Sequence, residues 1–169
     1  MIVETTLVFA GVAALGSIAN IFMNNRNVSN TPKKGISIKK YMKSDLPVLT
    51  LTNNGIALNF LIDTGSNISH ICPSAAELID HKYLGESKNT TVAGLGGINQ
   101  GVKVCSATFK DTLSREYNLT LTISEGLEET TKYIESATGF KIHGLLGTDF
   151  LKKYKYIINF KTLEVYRNQ

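Results

Sequence analysis

In "LPVLTLTNNGIALNFLI", residues 46–62, apolar and polar positions alternate, break at Asn53-Asn54-Gly55, and alternate again. A period of two puts every second side chain on one face of an extended strand. Asn-Gly between two such runs suits the positive φ angles of a tight turn, so a two-stranded hairpin is predicted. A short strand follows in "NISHI". Pro73 then opens "PSAAELIDHKYL", whose composition predicts a helix of two to three turns with proline at its first position. "TTVAGLGGINQGVKVCSATF" sets valine-rich flanks around Gly94, Gly96, Gly97 and Gly101, the pattern of a long hairpin with a glycine-rich tip. "EYNLTLTIS" is a further strand, and the polar, acidic "EGLEETTKYIESATGFK" reads as a surface loop or short helix. The last segment holds a buried Leu145-Leu146-Gly147 and a short helix from about Asp149 to Tyr154, with Thr148 as a suitable cap. Two strands joined at Lys161-Thr162 follow. Short strands with regular turns predict a small all-β barrel carrying one or two short helices.

The first 25 residues follow a different pattern. Residues 5–25 carry no charge, and 21 uncharged residues are enough to cross a bilayer core, which needs roughly 20. The strongly apolar part, 7–23, is short and contains Asn20. A cleaved signal peptide and a buried helix are the rival readings. Secretory signals begin with positive charge, whereas this segment begins with Glu4, so an uncleaved transmembrane helix is the expectation. Arg26, Lys33, Lys34, Lys39, Lys40 and Lys43 all follow it with no acid among them. The positive-inside rule then puts the rest of the chain in the cytoplasm, as the body of a single-pass membrane protein. The expected organisation is an anchor over 1–25, a basic juxtamembrane linker over 26–45 with room for a short strand in "ISIKKYM", and a folded domain over 46–169.

That linker accounts for the net charge of +4. Setting aside its six cations and Glu4, residues 44–169 hold 12 basic and 13 acidic side chains. A domain so balanced lacks the clustered positive face that phosphate contacts need, so no nucleic-acid partner is expected. The linker cations suit anionic headgroups or plain solvent. With 169 residues, 43% of them hydrophobic, the chain has room for one domain with a real core. Its two cysteines, Cys72 and Cys105, are too few for a disulfide scaffold or a zinc site of usual spacing and are expected as buried free thiols. His70, His81 and His143 show no ligand spacing, so neither a metal nor a cofactor is expected.

One carboxylate stands out. In "FLIDTGS", Asp63 ends an apolar strand and is followed by Thr64, Gly65 and Ser66; "GLLGTDFL" comes later, beyond the glycine-rich hairpin. A carboxylate in such company is costly to bury without partners. The ordered pair, Leu61-Ile62-Asp63-Thr64-Gly65-Ser66 and then Leu145-Leu146-Gly147, resembles the retropepsin-like aspartic proteases over roughly residues 46–166. The resemblance implies a small closed acid-protease barrel. It also implies a homodimeric endopeptidase that cleaves protein or peptide substrates with a water activated between two carboxylates. No second Asp-Thr/Ser-Gly occurs in the chain, so the second carboxylate would be Asp63 of another copy.

The same resemblance implies the local roles. Asp63 would be catalytic, Thr64 would hydrogen-bond across the dimer, the Gly65 N–H would approach the carboxylates, and Ser66 would bond the outer carboxylate oxygen. Leu145, Leu146 and Gly147 would pack behind the loop. Val92, Gly94, Leu95, Gly96, Gly97 and Ile98 would form a flap over substrate. Viral members usually carry arginine after the second motif; Thr148 stands here, as in cellular and bacterial relatives. The Asp63 to Leu145 spacing is also longer than in the compact viral enzymes, the excess falling in 124–139.

Other readings weaken on inspection. "IDTGSNIS" also resembles a phosphate loop of actin-like and Hsp70-like ATPases, but only 106 residues follow Asp63, too few for two nucleotide lobes. The glycine-rich tip lacks the lysine and following helix of a phosphate-binding loop. A membrane-tethered dimerisation or peptide-binding module that keeps the fold without turnover is the serious alternative. An intact Asp-Thr-Gly favours catalysis, since a scaffold gains nothing from a like-charged pair.

Overall fold

The computed structural model describes residues 34–40, 46–87, 92–94, 97–99 and 102–167, with backbone alone for 92–94 and 97–99. The elements run β1 (Ile36–Ser37), β2 (Val48–Asn53), β3 (Ile56–Ile62), β4 (His70–Ile71), α1 (Pro73–Ala76), β5 (Lys82–Ser87), β6 (Val92–Gly94) and β7 (Gly97–Asn99). They continue with β8 (Val102–Lys110), β9 (Glu116–Ile123), α2 (Glu125–Thr138), β10 (Gly144–Leu146), α3 (Thr148–Lys153), β11 (Tyr156–Asn159) and β12 (Glu164–Arg167).

The β2–β3 hairpin forms where the alternation predicts it, in register from Val48 opposite Leu61 to Asn53 opposite Ile56. Asn54 at φ 46° and Gly55 at φ 85° supply the two left-handed residues that its tight turn requires. The main sheet runs β2-β3-β10-β4-β9-β8-β5, and β2 also pairs with β8 at Thr52 opposite Lys110. That pairing closes the sheet into a barrel and leaves β5 as the strand added outside the closure. Alternate residues Leu49, Leu51, Leu58, Phe60 and Ile62 turn inward to meet Phe109, Leu121, Leu146 and Phe150. The Phe60 and Phe109 rings meet edge to face at 5.5 Å. Each such side chain contributes about 1.5–3 kcal/mol by leaving water, so the core dominates stability.

A second sheet, β1-β12-β11, draws Ile36 and Ile38 into the same core, so the folded unit includes the short strand allowed for at the end of the basic stretch. Residues 1–25, expected to cross a membrane, lie outside the described residues. Among the described residues no helix is long and apolar enough to cross one.

Three expectations need correction. The helix at Pro73 spans one turn, not two or three. After Ala76 the chain turns, and Lys82–Ser87 becomes a strand along β8, because cross-strand pairing outweighs a helical composition. The acidic segment, open between a surface loop and a short helix, forms the 14-residue helix α2, so the described residues hold three helices rather than one or two. Its signals were ordinary ones, with the Ser124 hydroxyl accepting from Leu127 N, Glu125 and Glu128 in the first turn, and Gly139 at φ 77° ending it. Thr148, finally, is the first residue of α3 and not its cap; Gly147 holds that place.

Candidate active site

β3 and β10 run parallel, with Phe60 beside Gly144, Leu61 beside Leu145 and Ile62 beside Leu146. This pairing brings together two motifs about eighty residues apart in sequence. The Asp63 N–H donates to the Leu146 carbonyl at 3.0 Å, which pins the base of the Asp63–Ser66 loop to the end of β10. Leu146 is fully buried and Leu145 half-buried. A Cβ on Gly144 would lie 2.4 Å from the His70 carbonyl, and one on Gly147 would lie 2.5 Å from the Ile68 carbonyl. Both positions therefore need glycine for close packing behind the loop.

The loop itself is exposed at Thr64 and Gly65 and half-buried at Asp63 and Ser66. Gly65 N–H donates to Oδ1 of Asp63 in the same chain at 2.8 Å. Ser66 differs: its hydroxyl donates to the Ile68 carbonyl at 2.7 Å rather than to the outer carboxylate oxygen. The Ser66 carbonyl accepts from Thr148 N at 2.8 Å, a second tie between loop and α3.

Sequence reasoning missed the residues that clamp this loop. Ser69 Oγ donates to Asp149 Oδ1 at 2.8 Å and accepts from Gly147 N at 3.0 Å, while Ser69 N donates to Asp149 Oδ2 at 3.0 Å. Asp149 Oδ1 also accepts from Phe150 N. One serine and one carboxylate thus close a ring around the start of α3. The Asp149 position two residues after Gly147 was visible as a helix-start acid, but nothing in the sequence tied it to Ser69. His70 is buried beside this clamp in sequence, and its Nδ1 finds no hydrogen-bond partner among the described residues. Burial holds the His70 pKa below the ordinary 6.5, against the opposing pull of Asp149 and Asp63. His143 lies below its ordinary value too, through burial and then Lys141; its Nδ1 accepts from Asn59 N at 3.0 Å.

Of the expected flap residues, Val92 and Gly94 lie on β6, and Gly97 and Ile98 on β7. Gly94 faces Gly97 across a two-stranded ladder. Leu95 and Gly96 lie outside the described residues. β5 pairs with β8 from Lys82 opposite Ser106 to Ser87 opposite Val102, with a register shift between Tyr83 and Gly85, and the two strands flank this segment in the chain.

Rival chemistry is poorly supplied. Both cysteines are free and buried, and burial pushes their thiols up, Cys105 to about 11, so neither offers a thiolate at neutral pH. A groove of about 650 Å³ lies elsewhere, lined by Asn53, His81, Thr108, Asn118 and Lys153; its acid, Asp80, accepts from Asn54. No pair of carboxylates lines it.

Among solved structures, the chain is similar to the EIAV protease complexed with the inhibitor HBY-793. Identity is 18% and the TM-score 0.46, with 64% of this chain and 88% of that chain covered. It is also similar to the foamy viral protease-reverse transcriptase in complex with an RNA/DNA hybrid, at 21% identity and a TM-score of 0.42. There 64% of this chain is covered but only 12% of that longer chain. No curated protein sequence matches. The model of the family described as aspartyl protease matches residues 49–150, well over half of the chain and inclusive of both motifs. The chain belongs to the aspartyl protease family.

Proposed function

We propose that the protein is an aspartic endopeptidase, active as a homodimer in which each chain contributes one Asp63. The observation that carries this reading is the single Asp-Thr-Gly loop, tied by backbone to β10 and α3 while its carboxylate stays half-buried with Gly65 N–H as a donor. One carboxylate cannot both activate water and protonate a carbonyl. Two sharing a proton can: the ionised carboxylate takes a proton from water as its oxygen bonds the peptide carbon, and the protonated one gives its proton to the carbonyl oxygen. Collapse of the tetrahedral species then breaks the C–N bond as a proton passes to the leaving amine. Like charges about 3 Å apart do not both ionise readily, which keeps the shared proton in place.

In this reading Thr64 bridges the two chains beneath the pair. Leu145, Leu146 and Gly147 support the loop, and the segment from Val92 to Ile98 closes over the substrate. The uncharged residues 5–25 anchor the chain, and the cations of 26–43 favour a cytoplasmic domain. Anchoring confines copies to a plane and raises their effective concentration, so weak self-association suffices. Its substrates are then proteins near the membrane or in the cytoplasm.

Peptide-library cleavage by the full chain in detergent, at pH 4 to 7 beside Asp63→Asn, tests the activity. Expected is cleavage that the mutant lacks and whose rate rises more steeply than linearly with enzyme. Equal cleavage by the mutant would refute the assignment. Protease protection in closed vesicles tests the topology, and a domain digested from the outer face would overturn the cytoplasmic placement.

A further inference from the structure

Alternation along β3 turns Ile62 into the core and Leu61 the other way; one step further, it puts Asp63 on the Leu61 side. Register carries that face across the barrel, with Leu61 beside Leu145, Leu145 beside His70 and His70 beside Thr122. Neighbouring strands lie about 4.8 Å apart, so His70 stands roughly 10 Å across the sheet from Leu61, on the face toward which Asp63 emerges. His70 is 6% exposed, and its Nδ1 has no partner among the described residues. A buried ring nitrogen left without a partner is costly and calls for an explanation. The preceding residue, Ser69, holds both oxygens of Asp149.

The charged groups acting on His70 are Asp149 from α3 and Asp63 from the loop after β3, while its cross-strand neighbours Leu145 and Thr122 carry no charge. His70 is therefore a titratable group set between a clamping carboxylate and the proposed catalytic one.

We propose that His70 is a positioning residue coupled to Asp63: as pH falls below neutral the imidazole takes up a proton, and the resulting cation holds a carboxylate of the Asp63 pair ionised, extending cleavage to lower pH. The inference rests on the protease reading above for its effect on rate, but not for the coupling itself. Opposite charges favour each other's ionised forms, and the linkage is reciprocal. Burial opposes protonation, so the cation forms late in an acid titration, where the pair most needs it. The outcome is an electrostatic support that acts on one side of the pH profile only.

The test has two arms. NMR titration of the His70 ring in the full chain and in Asp63→Asn reads the coupling without any activity. The midpoint is expected to fall by a few tenths of a pH unit or more in Asp63→Asn, because an attracting carboxylate is gone. Identical midpoints would overturn the proposal. pH–rate profiles of His70→Leu and His70→Gln read the consequence. In both the acid limb is expected to move to higher pH with the other limb unmoved; a uniform loss at every pH, with the acid limb in place, would assign His70 to packing alone. A chain that cleaves nothing at any pH would overturn the protease reading and the rate arm together, while the NMR comparison would still decide the coupling.

Discussion

Two carboxylates of the barrel are treated in opposite ways. Asp111, in the turn between β8 and β9, is 5% exposed and saturated. Its Oδ1 accepts from Leu113 N and Arg115 N, and its Oδ2 from Arg115 Nε at 2.6 Å and the Tyr117 hydroxyl at 2.5 Å. Tyr117 meets the Tyr156 hydroxyl at 2.8 Å and packs among Phe150 and Tyr154. Burial alone would raise the Asp111 pKa, but the bonds from Tyr117 and Arg115 outweigh it and hold the carboxyl below its ordinary value. Asp63 sits half-buried on an exposed loop, with Gly65 N–H as its donor among the described residues. The scaffold around it is the saturated part, through Ser69, Asp149 and the ties to Leu146 and Thr148. The Asp111 carboxylate has its lone pairs filled from within the chain, whereas Asp63, the proposed catalytic one, is held through its backbone and accepts from Gly65 N–H alone among the hydrogen bonds of the described residues.

Substitutions break this contrast in different places. Asp63→Asn is expected to abolish cleavage, at least about 10³-fold, with the urea midpoint little changed; unimpaired turnover would remove Asp63 from the chemistry. Asp111→Ala should do the reverse. It leaves Arg115 and the Tyr117 hydroxyl without their acceptor and is expected to cost about 3 kcal/mol in urea unfolding, while the folded fraction retains its specific activity. Gly147→Ala drives a Cβ to 2.5 Å from the Ile68 carbonyl, so backbone behind the loop must shift. The expected loss is about 1–3 kcal/mol, with a fall in kcat larger than that of a core substitution of equal cost. Ser69→Ala removes the Asp149 clamp and the acceptor for Gly147 N, for about 1–2 kcal/mol and a smaller drop in kcat.

The gentlest probe is pH. Folding lowers the pKa of both His70 and His143, chiefly by burial. Below about pH 6.5 the unfolded chain therefore binds more protons than the folded one, and stability is lost as pH falls toward the folded values. The urea midpoint is expected to be lower at pH 5.5 than at 7.5. An unchanged midpoint would mean that neither histidine is buried neutral.

Most strands and both site motifs were legible in the sequence because their signals are local: alternation, Asn-Gly, and apolar runs ending in Asp63 and Gly147. The length of α2 was hard to read, since Thr131 is its one buried residue and only the half-buried Leu127 and Ile134 mark an apolar stripe beside it. The helical composition runs on through Lys82–Leu84, yet these residues begin a strand, because β8, the partner that makes them one, lies some twenty residues away. Ser69, His70 and Asp149 were out of reach for the same reason. Their importance lies in bonds and fields spanning about eighty residues, and no local pattern encodes which hydroxyl meets which carboxylate.

The central claim is that two copies of Asp63 make one site, and a mixing experiment tests it most directly. A fixed amount of wild-type chain is assayed on a cleavable peptide while Asp63→Asn chain is added in rising excess and allowed to exchange. Shared sites predict that cleavage falls steadily as wild-type copies are drawn into mixed dimers, approaching zero at large excess. Activity that stays proportional to the wild-type chain alone, however much mutant is present, would contradict the account.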